Sequence, residues 1–205
     1  MRALPTAKGK VNEMKPIKLE VELKAHTQIL EQTVQQSSRS IDDIAECIVK
    51  CFRQGNKLLL CGNGGSAADA QHIAAEFVNR FRFDHAALPA VALTTDTSIL
   101  TAIGNDSACE NIFSRQVEAL AKPGDVLAGI STSGGSPNIL KALDAARALG
   151  VTTIGFTGEK GRETMAKKCD LCLIVPSSNT PRIQECHLFV WHVICGNVEQ
   201  TIFSK

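Results

Sequence analysis

Apolar positions recur at helical spacing from Ile17 to about Gln36, and again after Ser40, where Ile41, Ile44, Ala45, Ile48, Val49 and Phe52 share one stripe. The pattern predicts two helices, the second capped by Ser40 with Asp43 three residues later and ended by Gly55. Beyond Gly55 the pattern changes to short apolar runs. Five brief runs rich in strand formers, KLLLC (57–61), PAVALT (89–94), DVLAGI (125–130), TTIGF (152–156) and LCLIV (171–175), alternate with helical patterns. Strands without a polar face, separated by helices, predict an α/β fold whose parallel sheet is covered on both sides. A last helix, about 182–203, is apolar nearly all round through Ile183, Leu188, Phe189, Val190, Trp191, Val193, Ile194, Val198 and Ile202. Such a helix is seldom left bare on a monomer, so it and the long N-terminal helix are expected at subunit contacts.

Composition removes several classes of function. With 205 residues, 44% hydrophobic and 21% charged, the chain suits one domain, or one domain with a helical arm. Residues 1–16 carry Lys, Pro and Gly without periodicity and read as a flexible extension, leaving 17–205 as a single domain including the N-terminal helix. Twenty-two basic and 21 acidic residues leave a net charge of +1, so no global field draws nucleic acid or an anionic membrane. Aromatics at 4%, with no Tyr, offer few rings for bases to stack on. No apolar stretch approaches the roughly 20 residues of a membrane span, and no signal-peptide core opens the chain, so a cytoplasmic protein is expected. The eight cysteines are scattered through helices and strands and read as reduced thiols. Cys169 and Cys172 form a lone C-x-x-C with no second pair, so they read as small core residues rather than zinc ligands.

Two loops stand where ligands bind in open parallel sheets, beyond the carboxyl ends of strands. After Cys61, Gly62-Asn63-Gly64-Gly65 turns into a helix with Ser66 as expected cap and Asp69 in the capping-box position. After Ile130, STSGGSP leads into a helix with Ser136 as cap and Pro137 in its first turn. Helix N-termini with hydroxyls beside them suit a phosphate. Ordinary capping would explain either loop alone. Gly62, Gly64 and Ala67 also satisfy the dinucleotide pattern G-x-G-x-x-A, but no acidic residue closes a second strand at the expected distance of about 20 residues. No Gly-Lys-Ser/Thr follows either loop, which removes the P-loop and leaves a phosphate monoester favoured.

Chemistry enters with His72 and Glu76, four apart and so on one helical face about a turn beyond the first loop. An exposed His–Glu pair is the plainer reading, although the small residues of AADAQHIAAEF leave room for a ligand or metal. The last helix adds RIQECHLFVWH. By spacing, Glu185 nearly eclipses His192 whereas Gln184 lies roughly 80° away, so geometry alone prefers Glu185.

The segments CGNGGSAADAQHIAAEF, TAIGND, GISTSGGSPNI and RIQECHLFVWH occur in the order and spacing of the phosphoheptose isomerases, and from about Ile17 onward the chain resembles that branch of the sugar-isomerase (SIS) domain family. The resemblance implies a three-layer α/β/α sandwich on a five-stranded parallel sheet, assembled as a homotetramer with active sites shared between subunits. It implies conversion of sedoheptulose 7-phosphate to D-glycero-D-manno-heptose 7-phosphate, on the way to the heptose of lipopolysaccharide core. By resemblance Asn63, Gly64 and Gly65 contact substrate, Ser131, Thr132, Ser133 and Ser136 cradle its phosphate with Ser66 beside them, and Asn105 and Asp106 meet the sugar. Arg80 matches an arginine near the site, and Glu76 and His192 match the acid–base pair. In zinc-bearing members His72, Glu76, Gln184 and His192 match the metal ligands, which sets Gln184 above the geometric choice of Glu185. Pro181 stands where some relatives have an aspartate. A non-catalytic relative that binds the replication initiator shares the loops but lacks matches to Glu76 and His192, and QHIAAEF and RIQECH argue against a hexose or amino-sugar phosphate isomerase.

Overall fold

The computed structural model describes residues 16–204. The extension expected over 1–16 thus lies, but for Pro16, outside the described residues. The two predicted N-terminal helices are one, α1 (Leu19–Arg53). Ser40 does not cap a second helix, because serine is only mildly unfavourable within a helix and the buried stripe runs unbroken through Thr33, Ser37, Ile41, Ile44 and Ile48. Packing outweighs the local stop signal. The stripe fades toward the N-terminus, where Leu19, Val21 and Leu23 are exposed.

The five expected strands are all present: β1 (Leu58–Gly62), β2 (Ala90–Ala92), β3 (Val126–Ser131), β4 (Thr152–Gly158) and β5 (Leu171–Val175). They form one sheet, every pairing parallel, in the order β2-β1-β3-β4-β5. Alternation along the strands divides the core. Leu58 and Leu60 of β1, with Val126, Ala128 and Ile130 of β3, face α1, α2 (Gly65–Val78) and α6 (Thr180–Phe203). Leu59, Cys61 and Leu127 face the opposite layer, where α4 (Ser114–Leu120) and α5 (Pro137–Ala148) pack. The result is the predicted α/β/α sandwich.

Helix α6 buries most of its apolar surface within its own chain. Trp191 is fully buried and stacks on Phe156 of β4 at 4.3 Å, and Phe189 is the one large apolar residue of α6 that is exposed. Helix α3 (Thr97–Asp106) buries none of its residues. Cys169 and Cys172 are partly buried, Cys169 packed against the core, with both sulfurs lying over Gly155, where a Cβ would stand 2.8 and 2.9 Å from them.

In this strand order β1 and β3 are neighbours whose following helices leave toward opposite faces of the sheet. Their carboxyl ends therefore open a crevice at the topological switch point, the usual ligand site of such sheets.

Candidate functional site at the switch point

Both Gly/Ser loops open into that crevice, and they are tied together. The amides of Asn63, after β1, and Asn138, in the first turn of α5, exchange two hydrogen bonds of 2.9 Å. A cleft of about 550 Å³ lies there, lined by Asn63, Ser136, Pro137 and Asn138 and, across it, Ala108, Cys109 and Glu110. Among the described residues a larger groove, about 1170 Å³, sits at the opposite end of the sheet, against the first residues of β3, β4 and β5 (Val126, Thr152 and Leu171).

The loops differ from the sequence picture in one respect. Gly64, not Ser66, is the N-cap of α2, with φ +55°, a conformation that disfavours a side chain. Ser66 is buried inside the first turn, where the amides of Ser66 and Ala67 donate to the carbonyls of Asn63 and Gly64. The α2 mouth is thus largely self-satisfied. After β3 the hydroxyls converge: Ser131 Oγ lies 3.0 Å from Ser136 Oγ and 3.5 Å from Ser133 Oγ. Gly134 N–H donates to Ser131 Oγ and Gly135 N–H to Ser133 Oγ. Thr132 anchors the turn to β4 through its carbonyl, which accepts from Gly158 N–H at 3.1 Å. Ser136 is the N-cap of α5 and Pro137 follows in its first turn, as the sequence indicates.

Helices α2 and α6 bring His72, Glu76 and His192 together. His72 Nε2 stands 2.9 Å from His192 Nε2 and 3.3 Å from Glu76 Oε1, so residues 120 apart in sequence meet within hydrogen-bond reach. Burial, and His72 beside it, hold the His192 imidazole below its usual range, with Glu76 opposing. His192 is therefore neutral at neutral pH, able to take a proton on one nitrogen while giving one from the other.

Gln184 and Glu185 part company at the start of α6. Glu185 faces α1, with Oε2 2.7 Å from His26 Nδ1 and Oε1 accepting from Arg182 at 2.6 Å. Gln184 faces α2, its Nε2 donating to Asp69 at 3.1 and 3.2 Å. Asp69 is thus no capping residue. It is a buried carboxylate whose pKa burial raises, against the pull of the Gln184 amide and His72, and it turns the amide so that Oε1 is the end left to face elsewhere. Gly65 makes room for this, since a Cβ there would stand 2.5 Å from Gln184 Nε2. Sequence reasoning missed Asp69 and Asn138, because a carboxylate in a first turn and an asparagine after a proline look like helix-start residues.

The remaining predicted residues lie apart. Asn105 and Asp106 end α3, exposed and bonded to each other at 2.6 Å. Arg80 is exposed and pairs with Asp84 at 2.9 Å. Pro181 occupies the first turn of α6.

Residues 23–158 match the SIS domain family. The phosphoheptose isomerase of Roseiflexus sp. is 57% identical over 184 residues, covering 90% of this chain and 93% of the relative. That of Burkholderia pseudomallei (strain 1710b) is 61% identical over 166 residues, covering 81% and 84%. The solved structure of phosphoheptose isomerase from Neisseria gonorrhoeae superposes with a TM-score of 0.78 at 42% identity, over 89% of this chain and 100% of that one. By its sheet, its crevice and these likenesses, the chain belongs to the SIS domain family and, within it, to the phosphoheptose isomerases.

Proposed function

We propose that this protein isomerises sedoheptulose 7-phosphate to D-glycero-D-manno-heptose 7-phosphate, supplying heptose for lipopolysaccharide core, with Glu76 and His192 as its acid–base pair. The observation that carries the reading is the meeting of His72, Glu76 and His192 from α2 and α6 in a sheet whose switch point bears a serine-lined turn. Aldose–ketose interconversion needs one proton moved between C1 and C2 through an enediol and a second shuttled between the two oxygens. Glu76, half-buried, takes the carbon-bound proton and returns it to the neighbouring carbon, while neutral His192 serves the oxygens. Positioned proton transfer of this kind contributes about 10²–10⁴-fold.

Ser131, Thr132, Ser133 and Ser136, with Ser66 beside them, hold the phosphate, which takes over the hydrogen bonds that the Ser131, Ser133 and Ser136 hydroxyls now make among themselves. Binding energy at that remote end orients the reacting end. Asn63, Gly64, Gly65 and Gln184 line the path between, and Asn105 and Asp106 meet sugar hydroxyls. Arg80 joins them on leaving Asp84.

The donor set of His72, Glu76, His192 and the Gln184 amide oxygen suits Zn²⁺, which takes nitrogen and oxygen ligands in a catalytic site. Among the described residues no three His, Cys, Asp or Glu side chains form a cluster preset for a metal. The two imidazole nitrogens, 2.9 Å apart, are closer than the about 3.3 Å between two tetrahedral zinc ligands, so the rings would part slightly around an ion. Zinc so held would polarise the sugar carbonyl.

Exposed Leu19, Val21 and Leu23 on α1, and a helix α3 that buries nothing yet carries Asn105 and Asp106, support a homotetramer with shared active sites. No helix among the described residues is long and apolar enough to cross a membrane, and a charge of +1 favours no nucleic-acid partner. A cytoplasmic enzyme accords with both.

The test is turnover of sedoheptulose 7-phosphate against a hexulose 6-phosphate, in the unsubstituted protein and in Glu76→Gln and His192→Asn. We expect heptulose preference and a kcat lowered about 10²–10⁴-fold in each variant. Near-normal turnover in either would remove its role, and hexulose preference would remove the substrate.

A further inference from the structure

Glu199 lies seven residues beyond His192 on α6, so both project from one face of the helix. Its side chain is buried, yet among the described residues no Lys or Arg pairs with it. Its carboxylate instead accepts backbone N–H groups from Phe81 (2.9 Å), Arg82 (3.0 Å to each oxygen) and Phe83 (3.4 Å), with His85 Nε2 3.3 Å away. Three successive amides on one buried carboxylate pin the segment that leaves α2 onto α6. A carboxylate is kept inside a protein only when hydrogen bonds replace its water, and here they are spent on holding that segment.

The pinned segment carries Phe81 onto His192. The two rings are stacked, centroids 5.5 Å apart and planes 23° from parallel, and the Arg82 guanidinium stands 5.4 Å from the Phe81 centroid. Between His192 and Glu199, Gly196 leaves the seat clear, since a Cβ there would touch Phe81 Cε1 at 3.4 Å and Arg82 Cζ at 3.5 Å. An imidazole on a helix turns freely about its second torsion, which is broad. The contact with His72 restrains one nitrogen; a flat ring against its face restrains the plane.

We propose that Phe81 and Glu199 are positioning residues of the isomerase: Glu199 fixes the backbone of residues 81–83, and Phe81 thereby fixes the plane of the His192 imidazole. The inference rests on the acid–base role proposed for His192. It predicts damage to turnover rather than to substrate binding, because the serine turn that grips the phosphate belongs to β3 and α5 and touches neither residue.

Phe81→Leu keeps an apolar side chain of similar reach and removes the flat ring, whereas Phe81→Tyr keeps the ring and points its hydroxyl outward from a partly exposed position. In Phe81→Leu and Glu199→Gln, kcat for sedoheptulose 7-phosphate should fall about ten- to a hundredfold, the range a misplaced catalytic group costs, with KM changed less than about twofold. Phe81→Tyr should recover the turnover that Phe81→Leu loses. A second readout needs no substrate. Carbethoxylation of His192 by diethyl pyrocarbonate, followed by peptide mass spectrometry, should be several-fold faster in Phe81→Leu than in the unsubstituted protein or Phe81→Tyr. Equal kcat losses in the Leu and Tyr variants, a loss confined to KM, or unchanged His192 reactivity would overturn the proposal. If the unsubstituted protein does not turn over the heptulose phosphate, the assigned reaction falls, and the modification rates alone decide whether Phe81 shields and orients His192.

Discussion

His187 offers a prediction that depends on burial alone. It is fully buried on α6, one turn before Trp191, its ring edge-on to Phe156, with Nε2 donating to the Thr157 carbonyl at 3.3 Å and Nδ1 facing no partner among the described residues. Protonation would place a second N–H, and a charge, where nothing accepts it. Burial accordingly pushes the imidazole down to about 4, opposed by the bond to Thr157. In the unfolded chain the same group titrates near 6.5. The folded value lies below the unfolded one, so the neutral ring's contribution is fully present above about pH 6.5 and is lost as pH falls toward about 4. Each pH step across that window costs about 1.4 kcal/mol, and the whole window about 3 kcal/mol. Denaturant unfolding at fixed protein concentration, from pH 4 to 7.5, should show this loss in the unsubstituted protein and a shallower slope in His187→Leu. Comparing slopes removes the constant packing cost of the substitution. Equal slopes would show that His187 takes up its proton as readily in the folded state as in the unfolded chain and would refute the argument from burial.

Three further outcomes follow from the site. Gly65→Ala should leave the fold intact while displacing Gln184, whose amide nitrogen stands 2.5 Å from the new methyl position; circular dichroism should be unchanged while turnover falls at least tenfold. Asp69→Ala frees the Gln184 amide to rotate, so for the proposed zinc site the affinity measured by competition with a chelator should fall about 10–100-fold, and an unchanged affinity would remove Gln184 from the proposed ligand set or show that it needs no orienting partner. Ser131→Ala removes the hydroxyl that gathers Ser133, Ser136 and Gly134, so KM for the phosphosugar and the inhibition constant of inorganic phosphate should both rise about tenfold, while a change confined to kcat would place the phosphate elsewhere.

Local pattern determined a great deal about this protein. The short continuous apolar runs set five parallel strands, because a strand buried on both faces has no polar face, and the structure moves their ends by no more than two residues. The His72–Glu76 pair and the helix start at Ser136-Pro137 were legible because both are made within one turn of one helix. Three matters were decided by tertiary structure. Ser40 reads as a helix start, yet α1 runs through it, since burial against the sheet and α6 outweighs a few tenths of a kcal/mol of propensity. Spacing on an isolated helix preferred Glu185, but His26 and Arg182 draw Glu185 toward α1 while Asp69 draws Gln184 toward α2, and no count along one helix contains its neighbours. Glu199 and Phe81 are 118 residues apart, and nothing in the chain announces that a glutamate in an apolar helix and a phenylalanine in a loop converge on the imidazole of His192. Periodicity follows from backbone geometry and is written locally; partners depend on which faces the sheet brings together, and only the folded chain specifies them.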